Sequence, residues 1–418
     1  MPRLRRHASN RRIFGSHYER KRHLSRRPCL ASNLQSLTLL IALAWAAHPA
    51  KLNALEPVTH FLFGAAMGRA GLNRNTALAT ATLTLGAEAA DLDVFSRLGG
   101  SAFGLNHHRG FTHSFLGVPL VAAVVVGFIY LLWRLRGRKT RNPNLPPRWG
   151  LLFAYAGLAG LSHILLDFTN NYGVRPFWPF SERWYSWDVV FIVEPVLLVV
   201  LTLGLILPAL FSLINEEIGV RSKDAAPKGR LAATLALLAV VAYWGLRDYE
   251  HRRAVAALQS RNYQGADAIR VSAYPYWVNP FRWYGVVETS NFFATMDVDS
   301  LTPEVDPQAQ MQIRYKPEET PVTLAAKKTY LGRVYLSWAQ YPITETEQLE
   351  NDPAIVTANT PIGNARAAYL VRFRDLRYDY PGRDARAMLG ATVFLTHDLQ
   401  VVEERFGMGS RHQGRNRE

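Results

Sequence analysis

Residues Phe115 to Trp133 form an uncharged, mostly apolar run of 19, and Val189 to Ile214 form one of 26 with a single ionisable residue, Glu194. Each is long enough to cross a hydrocarbon core of about 30 Å as a helix. A buried helix in a large soluble protein would account for one such run, but poorly for two. Shorter apolar stretches at Leu34 to Ala47, Phe61 to Leu72, Thr76 to Ala90, Leu151 to Phe168 and Leu231 to Leu246 add further helices, for an expected seven crossings. Phe61 to Ala90 is also short enough to be a re-entrant hairpin, which would leave the orientation of everything after it unchanged.

The pattern changes from Arg247 onward. Long apolar runs disappear, and β-branched or aromatic residues alternate with polar ones in Met311 to Tyr315, Tyr330 to Trp338 and Tyr369 to Phe373, while Thr392 to Leu395 is a compact apolar run. Period-two alternation bounded by Pro, Gly and Asp clusters predicts strands. The expected fold class is therefore a multi-spanning α-helical membrane domain at 34–246, followed by a mainly β extramembrane domain at 247–408. A basic tail at 1–33 precedes them and a polar, disordered tail at 409–418 closes the chain.

Charge orients this plan. The formal net charge is +15, and residues 1–33 hold ten Arg or Lys against one acid, Glu19. Beside a hydrophobic segment such a tail marks a cytoplasmic flank attracted to anionic lipid. No aromatic interleaving or zinc-finger spacing supports nucleic acid as a partner. The start is long for a signal peptide, so the first apolar run is expected to stay as an anchor. The connection Arg134 to Arg148 has six basic residues and no acid, which places it in the cytoplasm as well. An inner or plasma membrane protein follows, with its amino terminus cytoplasmic and its β domain outside. Cys29 stands alone, so no intrachain disulfide is available.

Against this apolar background the ionisable residues of the first half stand out. His60 opens a segment whose next same-face positions are Gly64 and Gly68, a spacing that lets another helix approach closely. Asp91 and Asp93 are separated by one residue, and Asn106 to Ser114 places His107, His108, Arg109 and His113 before the strongest membrane helix. His163 and Asp167 lie four apart on one helical face. Charges among apolar residues are expensive unless paired, coordinated or near water. Imidazoles and carboxylates in this number suit a divalent metal, zinc first, as one or two ions. Traced along the crossings, the cluster falls at the outer ends of separate helices.

The ordered set Val58-Thr59-His60, Ala90-Asp91-Leu92-Asp93, His108-Arg109-Gly110-Phe111-Thr112-His113-Ser114 and Ser162-His163-Ile164-Leu165-Leu166-Asp167 resembles the membrane-bound metal-dependent hydrolases of bacterial and archaeal inner membranes. Asn171-Tyr172-Gly173 and Pro176 to Phe180 continue the likeness, which spans about residues 57 to 200. The family usually has Pro where Ala90 stands here. With this cluster the expected metal ligands are His60, Asp91, Asp93, His108 or His113, His163 and Asp167, with metal-activated water as the nucleophile. Arg109 is then expected to stabilise developing negative charge, His107 to protonate the leaving group and Glu194 to assist. A lipid-linked phosphoester is the expected substrate and membrane lipids the expected surroundings. The competing expectation is a non-enzymatic metal-binding scaffold that organises an envelope complex through a protein partner on the β domain. An ion carrier ranks lower, because the long later helices have few polar residues.

Overall fold

The computed structural model describes residues 56–140, 142–217, 229–349, 367–381 and 389–407. The basic tail, the first apolar run, Cys29 and the final polar stretch lie outside these residues. A helical region comes first: α1 Glu56–Ala70, α2 Ala79–Glu88, a 3-10 segment Ala89–Gly99, α3 Ser101–His107, α4 Gly117–Leu135, α5 Trp149–Thr169, α6 Pro195–Glu217 and α7 Arg230–Gln259. Strands β1 Arg270–Pro275, β2 Arg282–Glu288, β3 Phe292–Asp299, β4 Glu304–Val305 and β5 Gln312–Tyr315 follow. Helices α8 Pro321–Lys328 and α9 Tyr330–Trp338 then lead into β6 Pro342–Gln348, β7 Tyr369–Asp375, β8 Ala391–Leu395 and β9 Val401–Phe406. Both sheets are antiparallel: β1 to β4 in order with β5 also on β3, and β6 to β9 in order. The fold class expected from the pattern, membrane helices before a mainly antiparallel β region, is the one observed.

Among the described residues three helices, α4, α5 and α7, are long and apolar enough to cross a membrane. On α4 the exposed side chains Leu120, Val124, Phe128, Leu131 and Leu135 recur every three or four residues and form one stripe, while Val118, Ala122, Val125 and Ile129 are buried on the other face. That division is what a helix between lipid and protein requires. The early helices are different. The 15 residues of α1 and 10 of α2 span about 22 and 15 Å at 1.5 Å per residue, less than the hydrocarbon thickness.

Small residues allow α1, α2 and α5 to meet. A Cβ on Gly64 of α1 would lie 2.6 Å from the Leu83 carbonyl oxygen of α2, and one on Gly86 of α2 would lie 3.0 Å from Ala159 Cβ of α5. The i, i+4 glycines after His60 thus seat α1 against α2, with Gly68 packed on Thr80. Backbones this close bring the carboxyl end of α2 beside the last two turns of α5, where the next ligands lie.

Two elements depart from their expected form. Tyr330 to Trp338 is a helix and not a strand: Leu331, Val334, Tyr335 and Trp338 are buried, which is a 3–4 spacing and not alternation. Thr329 caps it by accepting from Gly332 N, and the helix packs beneath β7 and β8 through Tyr335, Phe373 and Val393. The change of character at Arg247 falls inside α7, which runs unbroken to Gln259. Its last turns leave the apolar segment and bury Ala254 and Leu258 among Trp283, Val287 and Met296 of the first sheet. Arg247, fully buried, donates to the carbonyls of Val189 and Asn279 at 2.7 and 2.8 Å and so ties α7 to the loop before α6 and to the β1–β2 turn.

The helix contact makes a direct prediction. Gly64→Ala forces α1 off α2 and should cost about 1–3 kcal/mol, seen as a lower unfolding temperature in detergent. Gly127→Ala on α4, where a Cβ meets nothing within 4 Å, should leave that temperature unchanged or raise it slightly.

Candidate metal centre

Five of the residues singled out by sequence converge. His60 comes from the first turns of α1, Asp91 from the 3-10 segment after α2, His113 from a short turn before α4, and His163 and Asp167 from the end of α5. His60, Asp91 and His163 form one group of adjacent donor atoms, and His113, His163 and Asp167 form a second that shares His163. His113 Nε2 and His163 Nε2 face each other at 3.0 Å. Asp91 Oδ1 lies 3.5 Å from both, and Asp167 Oδ2 lies 3.3 and 3.4 Å from them. His60 stacks on His163 with ring centroids 3.9 Å apart and points Nε2 at Asp167 Oδ1, 3.4 Å away.

These separations suit a tetrahedral cation. Bonds of about 2.0–2.1 Å from a central ion to imidazole or carboxylate place neighbouring donors about 3.3–3.4 Å apart. Both Asp167 oxygens and Asp91 Oδ2 are buried yet accept no aligned hydrogen bond, although buried polar atoms normally find partners. Chemistry and spacing of the donor set therefore fit a divalent metal ion.

The opposite ring nitrogens are fixed from behind. His163 Nδ1 lies 2.6 Å from the Ala87 carbonyl oxygen, so that it donates there and leaves Nε2 for the centre. His113 Nδ1 lies 3.3 Å from Asp93 Oδ2 and 3.1 Å from Thr112 Oγ1. Asp93 also accepts from the Arg109 backbone N–H at 2.7 Å and meets His108 Nδ1 at 3.1 Å. The Asp-x-Asp pair thus divides: Asp91 Oδ1 faces the imidazole tips of His113 and His163, whereas Asp93 grips the turn that carries His108, Arg109 and His113. Neither Asp93 nor His108 belongs to the two donor groups.

Electrostatics follow the same division. Burial would raise the Asp91 carboxyl, but the imidazoles of His163, His113 and His60 outweigh it and hold it down at about 2. Burial works the same way on Asp93, and His108 and His113 pull it well below the usual carboxylate range. His108 is lowered, by burial first, against the opposing pull of Asp93. His113 goes the other way: burial disfavours its charge, but Asp167, Asp91 and Asp93 raise it well above an ordinary histidine. The centre attracts cations, and a proton on His113 competes with a metal for its ring.

The remaining candidates stand farther back. Arg109, 1% exposed, sets NH2 3.0 Å from Asp167 Oδ1 and donates NH1 to the Gly173 carbonyl at 2.8 Å and to Asn170 Oδ1 at 3.3 Å. It therefore braces a ligand carboxylate from the protein side. His107 is exposed, stacked on Phe103, with Nδ1 2.9 Å from the Phe103 carbonyl of its own helix. Glu194 accepts from Val196 N at 3.4 Å at the start of α6, and shares with His60 the lining of a cavity of about 20 Å³ that also includes Thr59, Thr169 and Asn170. Sequence reasoning passed over Ala87, whose contribution is a main-chain oxygen, and Gly173, whose carbonyl fixes Arg109; a backbone group leaves no trace in residue types.

Among the described residues, three helices long and apolar enough to cross a bilayer, together with buried His and Asp groups able to chelate a metal, give a multi-pass membrane protein with a candidate metal centre. Residues 55–254, just under half of the chain, match the family profile described as YdjM inner membrane protein, so the helical region is similar to that family; the β region lies beyond the match. The chain is also similar to a Bacillus subtilis (strain 168) protein described as Uncharacterized protein YfhP. The two are 26% identical over 151 residues, 34% of this chain and 42% of that protein, so the chain spans under half of its relative's length. No solved structure matches.

Asp93→Asn keeps the size of the side chain but removes the charge that holds His113. It should weaken divalent metal binding by about 10–100-fold, measured by competition with a fluorescent chelator, without preventing insertion. His163→Ala and Asp167→Ala should abolish stoichiometric metal.

Proposed function

We propose that the chain is a membrane-interface hydrolase that cleaves a lipid-linked ester, of the phosphoester class, at a divalent metal held by His60, Asp91, His113, His163 and Asp167. The observation that carries this reading is where the centre opens. The side chains of His60, His113, His163 and Asp167 are at most 2% exposed, while that of Asp91 is 23% exposed. Beside it the 3-10 segment exposes Leu92, Val94, Phe95 and Leu98. A charged centre whose exposed ligand sits on a segment of exposed apolar side chains suits a substrate with a polar ester on an apolar chain, approached from the bilayer.

A bound divalent ion would acidify water and polarise the ester. The protein's own groups do the rest. Asp167 and the three imidazoles define the binding position and exclude bulk water. Asp91 turns one oxygen to the imidazoles and has the other without a hydrogen-bond partner, so it can accept the proton of an attacking water. Arg109 keeps Asp167 oriented and partly neutralised. His107 stands clear of the cluster and is placed to meet only groups outside it. Zinc is the metal preferred for an imidazole-rich, four-donor arrangement.

The basic connection after α4 argues for a cytoplasmic position of that end, which puts the metal centre and β region on the other side. With Cys29 replaced by Ser, an impermeant thiol reagent should label Ser101→Cys from outside intact cells and leave Lys139→Cys untouched; the reverse pattern would overturn this orientation.

The function is tested with purified, zinc-loaded protein on a panel of labelled phospholipids and lipid-linked phosphoesters in mixed micelles. Metal-dependent release of product, lost in His163→Ala and Asp167→Ala proteins that insert normally, is the expected result. Full metal loading with no turnover across the panel would instead favour a scaffold that holds an envelope partner.

A further inference from the structure

The turn Asn170–Gly173 lies between the metal centre and the β region and is held from both sides. On the near side Asn170 Oδ1 accepts from the N–H groups of Tyr172 and Gly173 and from Arg109 NH1, and the Arg109 guanidinium lies 4.7 Å over the Tyr172 ring. On the far side the contacts come from two segments of the β region, the turn Leu376–Tyr378 and the end of helix α9. Arg377, 1% exposed, donates NH1 to the Asn171 carbonyl at 3.0 Å and NH2 to the Trp338 carbonyl at 3.1 Å. Tyr378 OH donates to the same Asn171 oxygen at 2.9 Å, and Trp338 Nε1 donates to the Tyr172 carbonyl at 3.2 Å.

Arg377 is itself fixed. Its Nε donates to Asp375 Oδ2 at 2.8 Å, and its guanidinium lies 4.6 Å over the Trp338 ring. Asp375 in turn accepts from the backbone N–H groups of Gln340 and Arg377 at 2.8 and 3.0 Å. A buried Arg with each edge committed to a different acceptor defines a position more tightly than apolar packing, because its fork of donors is planar and directional. The polar atoms run in a continuous series from Asp375 through Arg377, the 170–173 turn and Arg109 to Asp167.

We propose that Arg377 is a positioning residue for the metal centre, holding the turn against which Arg109 is set so that Arg109 orients Asp167. The β region is then a built-in part of the site, in contact with it through the 170–173 turn. This inference rests on the metal-centre reading for its consequence, but the brace itself is visible without metal.

The test uses the full-length chain in nanodiscs and two readouts. Hydrogen exchange of the segment 107–113 reports whether the Arg109 turn is held, with no metal added. Cobalt(II) titration, followed by its visible ligand-field bands, reports geometry and affinity of the centre. Arg377→Met should speed exchange at 107–113, shift the cobalt bands and weaken cobalt binding on the order of tenfold. Tyr378→Phe, which removes one hydrogen bond and little volume, should act in the same direction by a smaller factor and decides the matter if Arg377→Met does not fold. Lys316→Met, which breaks the Lys316–Glu288 pair on the first sheet, should change neither readout. In an Arg109→Met background, Arg377→Met should have no further effect on cobalt affinity. Unchanged exchange in both Arg377→Met and Tyr378→Phe overturns the proposal, as do cobalt effects that add fully to those of Arg109→Met. If the unaltered chain binds no cobalt, the metal reading fails, while the exchange data still decide the brace.

Discussion

The carboxylate of Asp167, with no exposure to solvent, is the constraint around which the helical region is arranged. Taking such a group out of water costs several kcal/mol unless opposite charge and donors replace the hydration. Here Arg109 supplies the fixed charge and His60, His113 and His163 the adjacent imidazoles. Each compensating group must in turn be held. Asp93 and the Ala87 carbonyl set the histidine rings, the 170–173 turn sets Arg109, and the glycine contacts of α1 and α2 bring their ends within reach of α5. Losing one support leaves the next charge partly uncompensated, so the centre is cooperative in its construction.

Such an arrangement is costly for stability alone. A hydrophobic replacement of the same volume would satisfy a membrane bundle with fewer dependencies. The ionisable groups converge on a single point, and one of them, Asp91, retains contact with the outside beside apolar side chains. These two facts are what a ligand-binding role explains and a purely structural ion-pair network does not.

Much of this was legible because membrane segments make polar residues conspicuous. Spacing and the ends of apolar runs group His60, Asp91, Asp93, His108, His113, His163 and Asp167, of which all but Asp93 and His108 fall in the two donor groups. What spacing does not carry is direction. Asp91 and Asp93 differ by one residue, and only the 3-10 backbone decides that one faces the imidazole tips and the other the back of His113. His107 and His108 divide in the same way. The pattern of Tyr330–Trp338 predicts a strand because aromatic and β-branched residues satisfy period two and period 3.6 almost equally over nine residues; the cap at Thr329 and the burial of Leu331, Val334, Tyr335 and Trp338 make it a helix. The end of α7 was missed for a different reason. Arg247, Asp248 and Glu250 end an apolar run, but they do not end a helix. The Arg377 brace joins residues more than two hundred positions apart, a relation that no local pattern contains.

The continuous helix α7 has a consequence for how the protein can be divided. Its 30 residues extend about 45 Å, more than a bilayer core needs, and the surplus becomes part of the first sheet's interior. No linker separates the membrane portion from what stands beside it. A fragment starting after the last apolar residue would lose the scaffold that fills its own core, and a membrane fragment ending there would lose the wall behind its metal centre. The two regions share one stretch of backbone as a common component, and with the contacts on the 170–173 turn it leaves the sheets no freedom to swing against the helices.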